Sequence, residues 1–211
     1  MALLDSKERE RIREAIAEVE RRTDAELVTV LASRSDDYRY VPILWAALIA
    51  LLVPLMLTPF VLPHVFVVTA QLATFCLLAL LLHLPGLAMR LVPKEVRHWH
   101  AGNMARRMFL EHGLHHTAGE VGVLIFVSEA ERYVEIIADR GISAQVENER
   151  WEAIVAAFIA DVTAGNVSEG FMRTIDACGS VLAGAVPKTP DNHNELDDRL
   201  VLIGYEGDDA R

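Results

Sequence analysis

Asp139-Arg140-Gly141 holds the residue types best suited to chemistry in this chain, because it stands where a short apolar run, Arg132 to Ala138, gives way to a loop. Loops at strand ends are the usual seats of functional side chains. Asp139 could ligate a hard cation through oxygen, and the planar fork of Arg140 could pair with a phosphate or a carboxylate. The plainer reading of the same residues is a turn in which Asp caps backbone N–H groups and Gly takes a positive φ. Asp24 and Glu26 stand at the entrance of an earlier apolar run. If that run pairs in parallel with its neighbour, they belong at the wrong end for a joint site.

Histidine offers a second set. His98, His100, His112, His115 and His116 fall close together, and His112 with His115 or His116 has the spacing that puts two imidazoles on one helical face. Zinc needs more ligands than this, and no HExxH or neighbouring cysteine supplies them; Gly113 also interrupts the helix. The expectation is a solvated run that becomes cationic as pH falls. Glu129 and Glu131 flank a tight turn and read as a solvated face. No P-loop, G-x-G-x-x-G or G-x-S-x-G motif occurs.

The elements that must position these residues are set by one stretch. From Val41 to Leu84 the chain contains no Asp, Glu, Lys or Arg. Val41 to Leu62 and Val65 to Leu84 are each long enough at about 1.5 Å per residue to cross a hydrocarbon core of about 30 Å. Pro59, Pro63 and His64 break the ladder between them, so the run reads as a two-helix transmembrane hairpin. Forty mostly polar residues precede it and no small-residue cleavage site ends it, which disfavours a cleaved signal. Arg34 and Arg39 lie before the hairpin, Arg90, Lys94, Arg97, Arg106 and Arg107 after it, and the connecting turn has neither Lys nor Arg. The positive-inside rule then places both termini in the cytoplasm. Cys76 and Cys178 need no disulfide.

The net charge of −10 disfavours nucleic acid as a partner and is unevenly spread. Seven acids against Arg199 and Arg211 make residues 189–211 an acidic tail, whereas Ala88 to His116 is basic and suits the surface of an anionic leaflet.

Asp5-Ser6-Lys7-Glu8 opens a helix predicted over Ser6 to Arg22. Ala25 to Ser33 is a strand by its β-branched content. A helix and a strand cannot make a core, so the domain is expected to be split: 1–40, then the hairpin at 41–84, then the remainder at 85–188. After the hairpin the spacing predicts a helix from Glu95 to His112 with Ala101, Ala105, Met108 and His112 on one face. A doubly covered central strand follows from Val121 to Val127, and an antiparallel return from Arg132 to Ala138. Trp151, Ile154, Val155, Phe158, Ile159 and Val162 form an amphipathic stripe, and Phe171, Ile175, Cys178 and Leu182 a second one. Arg199 to Ile203 is a further strand candidate. The fold class is α/β, a mixed-sheet α/β sandwich split by a transmembrane hairpin.

These residues carry a resemblance. The first helix, Thr23-Asp24-Ala25-Glu26 opening a strand, Gly122-Val123-Leu124 in a central strand, the tight hairpin, Trp151 and the helix from Gly170 to Pro187 together resemble the TPM domain family. More closely they resemble its bacterial members anchored by two membrane helices. Here the second hairpin strand runs into Asp139-Arg140-Gly141-Ile142 where many members have a glycine-rich turn. The resemblance implies a bacterial cytoplasmic (inner) membrane location. It also implies either assembly and maintenance of membrane protein complexes or weak acid phosphatase activity with divalent metal binding. Two functions follow as expectations. One is an inner-membrane-anchored, cytoplasm-facing interaction module whose partners are the lipid bilayer and other membrane proteins. The alternative is a metal-dependent phosphatase-like hydrolase with Ca or Mg. In it Asp139 is a ligand, Arg140 binds the phosphate, and Glu120 and Glu147 are the nearest acids in sequence to complete the cation site.

Overall fold

The computed structural model describes residues 4–84, 87–117, 119–190 and 200–205. In chain order the elements are α1 (Ser6–Glu20), β1 (Glu26–Ala32), α2 (Tyr40–Leu57), a 3-10 turn (Thr58–Phe60), α3 (His64–Leu82), α4 (Leu87–Leu91) and α5 (Lys94–Glu111). A second 3-10 turn (Leu114–His116), β2 (Gly122–Ser128), β3 (Tyr133–Ala138), α6 (Arg140–Ser143), α7 (Asn148–Thr163), α8 (Val167–Ala185) and β4 (Leu200–Ile203) complete it. The chain divides into two compact units, residues Met1–Ser35 with Trp99–Arg211, and residues Asp36–His98.

The first unit is built on a four-stranded sheet of order β3-β2-β1-β4. β1 runs parallel to both β2 and β4, and β2 and β3 are antiparallel, so the sheet is mixed as expected. The Arg199–Ile203 candidate is β4; Arg199 and most of the acidic tail (191–199, 206–211) lie outside the described residues. Alternation at period two sorts each strand's side chains to opposite faces. Leu27, Leu31, Val123, Ile125, Val127 and Leu200 meet α1, α7 and α8 on one side. Val28, Val30, Leu124 and Phe126 meet Ala101, Ala105, Met108 and Phe109 of α5 on the other. β1 and β2 are buried along their whole length, which is why both read as near-continuous apolar runs.

Local chemistry sets the helix ends. Asp5 and Glu8 form a reciprocal capping box at the start of α1, with Glu8 N–H on Asp5 Oδ1 at 2.8 Å and Asp5 N–H on Glu8 Oε2 at 2.7 Å. α5 stops at Glu111, one residue short of the predicted His112, because Gly113 turns left-handed (φ 72°).

The predicted stripe on α7 is only half covered. Trp151 and Phe158 are buried, but Ile159 is 48% and Val162 37% exposed. The reason is topological: α7 packs on β3, an edge strand, so part of its apolar face overhangs the end of the sheet.

The second unit is dominated by α2 packed against α3. Its two helical stretches, Tyr40–Phe60 and His64–Leu82, are long and apolar enough to cross a membrane. The helices end a few residues inside the predicted limits of 62 and 84, at Leu57 and at Leu82. Ile43, Leu44, Leu51, Leu55, Phe66 and Leu80 are among the large side chains left exposed. Four polar side chains turn inward on their own helices: Thr58 Oγ1 on Pro54 O (2.9 Å), Thr69 Oγ1 on Val65 O (2.8 Å), Thr74 Oγ1 on Ala70 O (2.8 Å), and His83 Nδ1 paired with Ala79 O (2.9 Å). Such back-bonding satisfies hydroxyls without water. Ala46 and Ala50, one turn apart, are buried on α2. Small residues at that spacing let two helices approach closely. Ala46→Leu should therefore separate the helices and lower the thermal midpoint of the detergent-solubilised hairpin, whereas Leu51→Ala, on an exposed position, should leave it nearly unchanged.

Candidate functional site

Two ends of the sheet hold polar residues, and they differ in character. At one end stand the residues anticipated from sequence. Asp139 leaves β3 beside the start of β2, its N–H bonded to Gly122 O at 2.9 Å, and Glu26 N–H reaches Val121 O at 3.2 Å. Asp24 and Glu26 thus share an end with Asp139, contrary to the expectation. β1 is parallel to β2 as supposed, but β3 is antiparallel to β2, so the exit of β3 coincides with the entrances of β1 and β2.

Sharing an end does not assemble them. Asp139 is the N-cap of α6: its Oδ1 accepts the Arg140 N–H at 2.8 Å, and its carbonyl accepts the N–H of Ser143 at 2.9 Å. Its Oδ2 is buried with no hydrogen-bond partner among the described residues. Gly141 is the second residue of that helix and takes no positive φ; the left-handed residues beside it are Gly119 (81°) and Glu120 (57°). Gly141 serves close approach: its N–H bonds Glu120 O at 2.9 Å, and a Cβ there would lie 2.3 Å from Gly119 O. The backbone of Glu120 is therefore brought against Asp139-Arg140-Gly141, but the Glu120 residue is exposed. Glu147, also exposed, is the N-cap residue of α7 with no side-chain cap bond. Arg140 is exposed and makes no ion pair among the described residues. No group of three or more His, Cys, Asp or Glu that could hold a metal ion occurs among the described residues. Ca²⁺ takes six to eight oxygens, and one orphaned carboxylate oxygen falls short of that set.

Asp24 has a structural task. Its Oδ1 accepts the Thr189 N–H (2.9 Å), its Oδ2 the Thr189 hydroxyl (2.6 Å), and Lys188 Nζ lies 3.9 Å away. With the Asp24 N–H on Val186 O at 3.2 Å and the bridge between Thr23 and Pro187, this latches the segment after α8 onto the α1–β1 turn. Among the histidines, the His115 and His116 rings lie 3.8 Å apart, tilted at 44° to each other, and Trp99 meets His100 edge-on at 4.9 Å. Burial, then the Lys94 and Arg97 charges, hold His98 below the usual imidazole range. These are packing relations with no metal group among them.

At the opposite end, where β1, β2 and β4 terminate, lies a cluster that sequence reasoning missed. Glu131, read as solvated, is 1% exposed. Its carboxylate accepts the Ser128 hydroxyl and, through both oxygens at 3.1 Å, the Ser35 N–H; the two serine hydroxyls are 2.9 Å apart. Beside it Glu129 Oε2 accepts the Tyr205 hydroxyl at 2.9 Å, and Ser33 Oγ donates to Gly204 O at 2.9 Å. The C-terminal ends of β1 and β4 and the β2–β3 turn are thereby tied together. A Glu in a four-residue polar turn carries no local mark of burial, since its partner Ser35 is 96 positions away.

On the α5 side of β3, the Tyr133 hydroxyl donates to Glu135 Oε2 at 3.0 Å. Burial, and then the adjacent Glu135 charge, push the phenol up to about 12 from 10. The neutral form is the one the fold favours. Any stability it contributes is thus fully present below pH 10 and lost as pH rises toward 12. Burial, and then the hydrogen bond to Glu129, push the Tyr205 phenol up further still, so spectrophotometric titration should show two late-ionising tyrosines, of which Tyr133→Phe removes the earlier, with a shallower alkaline loss of stability in the variant.

Comparison with known proteins adds three findings. No curated protein matches the sequence. A solved structure, the BA42 protein of the psychrophilic bacterium Bizionia argentinensis determined by NMR, is similar with a TM-score of 0.60 at 18% identity, over 94% of each chain. That likeness shows the fold. The family model described as the TPM domain matches residues 94–181, from the first residue of α5 into α8, so that the match takes in β2, β3 and the Asp139 turn; over this stretch the chain is similar to the TPM domain.

Proposed function

We propose that the chain is a membrane-anchored interaction module of TPM-like fold: the α2–α3 hairpin spans the bacterial inner membrane, both termini face the cytoplasm, and the α/β unit engages other membrane proteins. The observation that carries this reading is the pairing of two apolar, outward-facing helices with a folded α/β unit whose polar clusters are occupied by structural tasks. Contiguous apolar surface on this scale has no place in water. The charge pattern supports the orientation, with Arg39, Arg90 and Lys94 flanking the hairpin and no Lys or Arg between Thr58 and His64. Membranes washed with alkaline carbonate should retain the protein. Release into the supernatant would end the proposal.

The orphaned Asp139 Oδ2 is the one observation that favours the second reading, a metal-dependent phosphatase-like hydrolase. If Asp139 helps hold a cation, calorimetric titration of Ca²⁺, Mg²⁺, Mn²⁺ or Zn²⁺ into the detergent-purified full chain will show a heat that Asp139→Ala abolishes. Under the anchored-module reading neither protein gives a saturable heat.

A further inference from the structure

The overhang of α7 beyond the sheet leaves a trough. Phe158 and Phe171, packed edge to face at 4.9 Å, form its floor; Val134, Ile159 and Val162 form its walls, and the space is about 480 Å³. Val134 and Ile159 also border a second, adjacent hollow of about 310 Å³ with Ile136, Trp151 and Val155. From Arg132 to Ile136 the two hollows together follow β3 for about 13 Å at strand rise. An apolar surface extended along a strand for that length suits an extended linear chain.

One cation stands at its mouth. Arg132 lines the trough and is held at φ 53°, a conformation an arginine rarely adopts. Both neighbouring carboxylates are already engaged, Glu129 by Tyr205 and Glu131 by Ser35 and Ser128. The guanidinium makes no ion pair among the described residues. An arginine fork beside an apolar trough is matched by one planar anion on an apolar body. Polyanions are disfavoured by the net charge of −10 and by Glu129 at the same rim.

We infer that the α7–β3 trough binds an unbranched apolar monocarboxylate, with the chain along β3 and the carboxylate on Arg132. This goes beyond the anchoring reading and does not depend on it. The test uses the full chain in phosphatidylcholine nanodiscs with labelled Ile and Val methyls, titrated with octanoate, octanamide and octylammonium. Empty discs correct for partitioning. Octanoate should give saturable shifts at Val134, Ile159 and Val162. Octanamide, and octanoate with Arg132→Asn, should bind about tenfold or more weakly, as loss of a charge-assisted pair implies. Asparagine tolerates the left-handed backbone, so that variant keeps the turn. Ile159→Trp, which fills the trough and leaves Arg132 in place, should abolish the shifts. Equal binding of octanamide, tighter binding of octylammonium, unchanged affinity in Arg132→Asn, or no saturable shift at these methyls would overturn the inference.

Discussion

Glu131→Ala should destabilise the α/β unit by about 2–4 kcal/mol, the range for removing a buried acceptor that serves several donors. The loss has three parts. Ser35 N–H and the Ser128 hydroxyl lose their shared acceptor, the side-chain link between the end of β1 and the β2–β3 turn goes, and a small void opens beside Ser128. The backbone ladder would survive, since Glu129 N–H on Ala32 O (2.9 Å) and Ala130 N–H on Ser33 O (3.1 Å) do not involve the side chain. The expected result is a lower opening free energy concentrated at that end. Glu131→Gln keeps one acceptor oxygen but turns a donor amide toward donors, so it should recover only part. Hydrogen exchange at β1 and β2 amides of the solubilised full chain measures this. An alanine variant within about 0.5 kcal/mol of the parent, the range of ordinary surface changes, would show that the cluster is incidental.

Gly122→Ala should be of similar or greater size, about 3 kcal/mol or more, by a steric route. A Cβ at Gly122 would lie 2.2 Å from Leu114 O and 2.9 Å from Leu114 C and Cβ. Neither neighbour can yield cheaply. Gly122 opens β2, which is bonded to β1 on one side and β3 on the other, and Leu114 is buried in the core beneath α5. Gly184→Ala provides the contrast: nothing lies within 4 Å of its added Cβ, and it sits in α8. There alanine gains helix propensity of up to about 1 kcal/mol. The pair separates close approach from a general intolerance of glycine replacement. If both variants behave alike, the contact with Leu114 is not what selects glycine.

What was legible in the chain follows from what is local. The capping box at Asp5, the apolar runs of β1 and β2, the short connection that forces β3 antiparallel and the apolar hairpin helices all depend on neighbours within a few residues. Three features depended on partners far along the chain and were hidden. Glu131 looked like a solvated turn residue because Ser35 is 96 positions away. The amphipathic stripe of α7 was legible but its half-coverage was not, because periodicity reports a face but not where the sheet beneath it ends. Asp24 and Glu26 were set at the opposite end from Asp139 by reasoning from one parallel pair, while the antiparallel step to β3 returns all three to one end. Of the Asp139 site, the cap was anticipated, the helix it opens was not, and Glu120 approaches through its backbone.

The proposed membrane crossing of the α2–α3 hairpin is tested most directly by single-cysteine accessibility in intact cells. Cys178 is buried with its thiol pushed up to about 12, and Cys76 lies exposed on α3, so both are first replaced by alanine. Cysteines are then placed at Val61, on the tip between the helices, and at Lys7 and Lys188 in the α/β unit. The account predicts that a membrane-impermeant maleimide added to spheroplasts labels Val61→Cys at once, and labels Lys7→Cys and Lys188→Cys only after the membrane is opened. Labelling of all three only on lysis, or of Lys7→Cys and Lys188→Cys from outside, would contradict it.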